Sequence, residues 1–248
     1  MNEYVRPTET EYQSCFNKSQ ILIHDIIKTL KIDILKVTFD KVIEFFEKEF
    51  NILFIYLDSK TACGDSCFMK HNYTRNNQIK HYNHIFCEFC TGMTYHDSSF
   101  DRYVVYINND VPKSRMIFTI LHELVHIYFH IQNKLYDTIF ISKYAFNDSS
   151  SYPKAVIPFE NEANTIASIL FINDSILMDY IKDLKSFKEI MELTNISQSA
   201  LHNRLMNFLI YNLGLSEKYA LGLVIDYKKN NMENTFMFKR LILKHLNC

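Results

Sequence analysis

Glycine and proline are scarce, at four residues each in a chain of 248 that is 48% hydrophobic and 15% aromatic. That scarcity excludes the collagen-like, low-complexity and disordered classes and leaves a chain able to bury a sizeable core. Charge of one sign is also lacking: 27 Lys and Arg face 28 Asp and Glu, for a net charge of -1. Global affinity for nucleic acid needs a basic surplus, so this balance argues against it. No long uninterrupted apolar run is present. The longest stretch, Met116–Ile131, is about 16 residues broken by His122, Glu123, His126 and His130, short of the ~20 that cross a bilayer. Met1–Ser19 is polar, with Glu3, Arg6, Glu9 and Glu11, and lacks the apolar core of a secretory signal. The expectation is a soluble, cytoplasmic protein with no membrane partner, forming one large domain or one domain with a helical appendage.

Periodicity divides what is there. Ile21–Leu30 and Lys41–Phe50 repeat apolar residues at helical spacing, and Asn51–Asp58 then reads as a strand. Residues 59–101 are rich in Asn, His, Tyr and Cys with weak periodicity; short strands are expected to cross them, for example Asn83–Phe89. Arg102–Asn108 is apolar and β-branched enough to be a strand, closed by Asn109, Asp110 and Pro112. A helix apolar nearly all round, and so buried, is predicted over Lys113–Ile131. Asn147–Pro158 is a loop by composition, Phe159–Phe171 is helical, and short helices follow over Ile176–Leu184, Phe187–Leu193, Gln198–Tyr211 and Glu217–Val224. The organisation expected is N-terminal helices over 1–50, a core over 51–175 and a helical region over 176–248.

The chemistry concentrates in His122-Glu123-Leu124-Val125-His126. On a helix, two histidines four apart point the same way, one turn above the other, so both imidazoles can grip one ion. Zinc is the usual occupant of such a pair, and the glutamate beside the first histidine can reach a water on that ion. A chain of this composition would contain the pattern by accident roughly 2% of the time, so the pentapeptide alone is suggestive rather than decisive. The alternative is a buried helix carrying two satisfied histidines. Three titratable side chains in one apolar turn are costly without a partner, and an ion supplies one.

A third protein ligand must come from elsewhere. His130 lies eight residues past His122, about 12 Å along a helix axis. The extended pattern with a glycine turn and a third histidine fails, because Phe129 and Gln132 stand at those places. A downstream carboxylate remains, and Phe159-Glu160-Asn161-Glu162-Ala163-Asn164 opens the next helix. Glu160 and Asn164 share a face there, which suits a ligating carboxylate with an amide that orients a ligand histidine. Glu162 is rotated about 200° from Glu160, so the two cannot face one ion. Glu160 is preferred over Glu162. Either could instead be a solvated acid favoured by the helix amino terminus.

At this point the sequence resembles the ImmA/IrrE-type zinc metallopeptidases of bacteria and their mobile elements. The matching run comprises a strand ending in Ile107-Asn108, then Arg115–Leu121 leading into His122–His126, then Glu160-Asn161-Glu162-Ala163-Asn164 and Ala167, within roughly residues 100–210. The resemblance implies an α+β, zincin-like (gluzincin-like) fold with a small mixed β-sheet, a buried HExxH helix and a C-terminal helical bundle. It implies His122, His126 and Glu160 as ligands of Zn2+ and Glu123 as catalytic base. Where the family's apolar run ends in Met-Pro, this chain has Ile169-Leu170-Phe171-Ile172-Asn173. Leu193–Leu205 resembles the helical segment after the family's catalytic region, which has a helix-turn-helix look. The function implied is an intracellular zinc endopeptidase acting on a regulatory protein, such as the repressor of a mobile element or stress pathway. The alternative is a non-catalytic zinc-containing regulator or toxin–antitoxin component that binds a protein or DNA.

Weaker patterns remain. Strand Tyr103–Asn108 offers a platform on which an extended peptide could pair, or is an ordinary core or edge strand. Tyr128, His130 and Tyr152 are near enough in sequence to supply an oxyanion donor, although a core position is the commoner fate of such a tyrosine. Cys63 and Cys67, then Cys87 and Cys90, approach the spacing of a four-cysteine zinc site; in a reducing compartment they are otherwise free thiols. From Lys182 onward ten Lys or Arg face six Asp or Glu. That excess leaves DNA binding through the C-terminal helices open, against the commoner reading of a solvated basic face. Ser197 is a good N-cap for the helix that follows.

Overall fold

The computed structural model describes residues 6–60, 78–132, 139–143 and 153–246. The chain groups into two compact units, one built on Val42–Ala167 and the other on Pro7–Lys41 with Ser168 onward. The architecture is α+β with a small mixed sheet, as the resemblance implies.

The first unit is a sheet with helices on both faces. Strands β1 (Ile52–Asp58), β2 (Gln78–Tyr82), β3 (Cys90–Asp97), β4 (Arg102–Asn108) and β5 (Phe140–Lys143) form a 5-stranded sheet in the order β2-β1-β4-β3-β5. β1 is parallel to β2 and β4; β3 is antiparallel to β4 and β5. On one face Ile55, Leu57, Val104 and Cys87 make a buried cluster with Tyr95 and Tyr106. The opposite face, from which Val105 and Ile107 project, receives the buried helix α4 (Lys113–Val125). From there the chain continues as a π-helical turn over His126–Ile131. Helix α2 (Phe39–Glu49) contributes Phe45 and Phe46, which with Phe50 form a ring cluster around Tyr128.

Two sequence expectations change here. Asn83–Phe89 is not a strand but a capped helix, α3 (His84–Phe89). Asn83 Oδ1 accepts from Phe86 N at 3.0 Å, so local capping overrides β propensity, and the strand β3 follows at once. β4 lies between β1 and β3 with both edges paired. Its main-chain groups are already used, so it cannot be a peptide platform; among the described strands the outer ones are β2 and β5.

The second unit is helical: α1 (Glu9–Leu30), α6 (Asp174–Lys182), α7 (Phe187–Thr194), α8 (Gln198–Asn207), α9 (Glu217–Tyr227) and α10 (Met232–Leu246); α5 (Ile157–Phe171), which precedes α6, belongs to the first unit as far as Ala167. α1 starts far earlier than Ile21. A capping box between Thr8 and Glu11 opens it, and Tyr12, Cys15, Ser19, Leu22, Ile23 and Ile26 form its buried stripe. α5 ends without a proline because Asn173 does the stopping: its Oδ1 caps α6 on Ile176 N at 3.0 Å, and its Nδ2 donates to Ile34 O. Ser197 caps α8 on Ala200 N, as expected.

Candidate active site

From Thr119 onward helix α4 is buried on every side, so its polar residues there cannot turn to water. His122 is 3% exposed and Glu123 and His126 are fully buried. The one-turn spacing stacks the two imidazoles, and their Nε2 atoms stand 2.9 Å apart. α5 supplies the third group: Glu160 Oε2 lies 3.2 Å from His122 Nε2, and Glu160 Oε1 lies 3.5 Å from His126 Nε2. The donor atoms of His122, His126 and Glu160 all fall within 4.8 Å of one another. Glu162 turns away and meets His130 Nε2 at 3.1 Å. The two carboxylates thus diverge as the helical geometry requires.

Burial dominates the electrostatics. It pushes the Glu123 carboxyl well above the usual range; the nearby Glu160 carboxylate pushes the same way, while a hydrogen bond from Ser142 opposes both. Burial likewise pushes His126 well below the usual imidazole range, with His122 and His130 reinforcing the effect. A neutral His126 beside a buried carboxylate is the state a cation favours, since its charge offsets the desolvation that raises Glu123. Two further atoms point the same way. Glu160 Oε1 and His122 Nδ1 are buried without a hydrogen-bond partner among the described residues, a cost that a ligated ion at this cluster would offset at the carboxylate. A buried set of two nitrogens and one carboxylate oxygen matches the protein ligands of catalytic zinc sites. The residues fit a metal.

Residues 84–206 belong to the Peptidase_M78 family of IrrE N-terminal-like domains. The match begins at α3 and runs through α8, so it contains the histidine pair and Glu160. No curated protein matches the chain. The family is one of peptidase-type hydrolases, and the IrrE-like domain here carries a buried His/Glu group compatible with a metal site.

Some residues around the centre of the IrrE-like domain had no sequence signature. Ser142 on β5 donates to Glu123 Oε1 at 2.6 Å. A register shift between Cys90 and Gly92 places Gly92 opposite Ser142. Gly92 itself lies so close to α4 that a Cβ there would stand 2.4 Å from Thr119 Cγ2 and 2.7 Å from Glu123 Oε1. Only glycine lets β3 approach Thr119 and Glu123 this closely. Asn164, expected to orient a histidine, is exposed on α5; the group that touches His126 is His130, with Nδ1 atoms 2.8 Å apart. Tyr128 packs among Phe45, Phe46 and Phe50. Tyr152, Cys63 and Cys67 lie outside the described residues, and with them the four-cysteine site. Of that set, Cys87 is a buried free thiol and Cys90 a partly exposed one.

Proposed function

We propose that this chain is a zinc-dependent endopeptidase in which His122, His126 and Glu160 hold Zn2+ and Glu123 is the general base. The observation that carries the reading is the convergence of three buried donor atoms within 4.8 Å beside a fully buried glutamate. When bound, Zn2+ supplies Lewis-acid polarisation of the scissile carbonyl and lowers the pKa of water.

The remaining work falls to side chains of the chain itself. Glu123 is held by Ser142 through Oε1, while Oε2 is buried and has no hydrogen-bond partner among the described residues. Oε2 is the atom that takes the proton of the attacking water and returns it to the departing amine. Phe140 stacks on the His126 ring at 4.0 Å and helps wall the centre from solvent. A regulator without activity has no use for a base at this position, so the placement of Glu123 favours the enzyme. The substrate we propose is a regulatory protein such as a repressor of a mobile element or stress pathway, on the ground of the family resemblance.

The test is to incubate purified protein with the product of a neighbouring repressor-like gene while counting zinc. Glu123→Gln should keep its zinc and lose about 10²–10⁴-fold in rate, and His122→Ala should lose both metal and activity. Cleavage by the Gln variant at the wild-type rate would remove Glu123 from its assigned role.

A further inference from the structure

His126, His130 and Glu162 fall on one line of hydrogen bonds that leads away from the proposed metal centre. His126 Nδ1 stands 2.8 Å from His130 Nδ1, and His130 Nε2 stands 3.1 Å from Glu162 Oε1. The π-helical turn over His126–Ile131 carries His130 to this place. Both rings are clamped: His126 stacks on Phe140 at 4.0 Å, and His130 meets Phe159 edge-on at 5.0 Å. His122 differs, since its Nδ1 has no hydrogen-bond partner among the described residues.

The direction of the chain follows from donor and acceptor counting. A carboxylate only accepts, so Glu162 requires the proton of His130 on Nε2. With His130 neutral, its one ring proton is spent on Glu162 and its Nδ1 presents a lone pair to His126. His126 Nδ1 must then donate, which leaves the lone pair of His126 on Nε2, the atom beside His122 and Glu160. We infer that His130 and Glu162 are positioning residues that hold His126 in the Nδ1–H tautomer, with Nε2 aimed at the point shared by the other two ligands. This inference rests on the metal-centre reading above. It also gives the two glutamates of α5 separate tasks, Glu160 at the centre and Glu162 behind one of its histidines.

The experiment measures Zn2+ affinity by competition with a chromogenic chelator, together with the His126 tautomer from long-range 1H–15N spectra of the metal-free full chain. His130→Phe keeps a ring between Phe140 and Phe159 but offers no acceptor; it should weaken Zn2+ binding by about 10–100-fold. Glu162→Leu should weaken it in the same direction. His130→Gln and Glu162→Gln can still accept on one side and so should recover most of the loss, an outcome that a packing role alone would not produce. The metal-free wild type should show His126 protonated at Nδ1. An Nε2–H tautomer at His126, or Zn2+ affinity of both His130→Phe and Glu162→Leu within about threefold of wild type, overturns the inference. Glu162 is partly exposed, with 20% of its side chain accessible, so its variants decide the matter if His130→Phe fails to fold. A wild type that binds no Zn2+ defeats the metal-centre reading, while the tautomer measurement still judges the hydrogen-bond chain separately.

Discussion

Gly92 is the residue on which the close approach of β3 to the His122–His126 turn depends most directly. Its missing side chain lets β3 lie against Thr119 and Glu123, so Gly92→Ala should destabilise the protein by about 1–3 kcal/mol through overpacking. Thr119→Ser removes the methyl group that the new Cβ meets and should restore part of the loss. Denaturant unfolding of the two single variants and the double variant checks this; a Gly92→Ala chain as stable as wild type would show that β3 simply moves back. At the same scale, Cys87 is a test of burial. Its Sγ donates to Leu57 O at 3.2 Å, and burial, followed by Asp110 and Cys90, raises its pKa to about 11. Alkylation of Cys87 in the native protein at pH 8 should therefore run on the order of 10²-fold slower than at an ordinary free thiol. Mass spectrometry of iodoacetamide-treated protein reads this residue by residue, and the rate should rise as the pH approaches the raised value.

Among the elements, α1 shows how a cap decides where a helix begins. Thr8 N and Thr8 Oγ1 each stand 2.8 Å from Glu11 Oε2, and Glu11 N donates back to Thr8 Oγ1. These bonds hold the Glu11 carboxyl below its usual range, the backbone N–H of Thr8 first and its hydroxyl second. A depressed folded value means that the stabilisation is complete above the ordinary carboxylate pKa and disappears as the pH falls through the lowered one. Thr8→Ala should cost about 1 kcal/mol at pH 7 and less at pH 3. Paired thermal melts at the two values measure the difference; an equal cost at both would sever the cap from the charge of Glu11. α8 makes a different point. Arg204, its cation, is fully buried and donates to Ile172 O and Asp174, so the helix-turn-helix look of the sequence conceals a side chain that faces inward. The π-helical turn after His126 is likewise invisible to periodicity, because it changes the rotation per residue over one turn only.

For the whole molecule, the grouping into two units separates stability from chemistry. His122, Glu123, His126 and Glu160 all belong to the unit built on Val42–Ala167, whereas Arg204, Asp174 and the cap at Asn173 belong to the other. Asp174→Ala leaves the buried Arg204 without its carboxylate and should destabilise the helical unit by about 3–5 kcal/mol. Zn2+ affinity of the folded protein should stay within about twofold of wild type, because Asp174 pairs with Arg204 in the unit that holds none of the three proposed ligands. Urea unfolding followed by helical circular dichroism reads the first, and chelator competition the second; a matching collapse of metal affinity would link the two units energetically.

The linear chain by itself determined the buried apolar run Lys113–Ile131, the strand Arg102–Asn108, the helical pattern of α5 and the pairing of His122 with His126, whereas Glu160 was preferred over Glu162 and completed the set through the family resemblance. All but the last follow from periodicity and spacing, which are local properties of the backbone. Tertiary structure alone decided that β4 is central rather than available, that Ser142 and Gly92 meet Glu123, that Glu162 stands behind His130, and that α1 joins the last helices of the chain. Each of these depends on which distant segments pack together, and no repeat or spacing in the sequence encodes a contact between residues that only the fold brings to the same point.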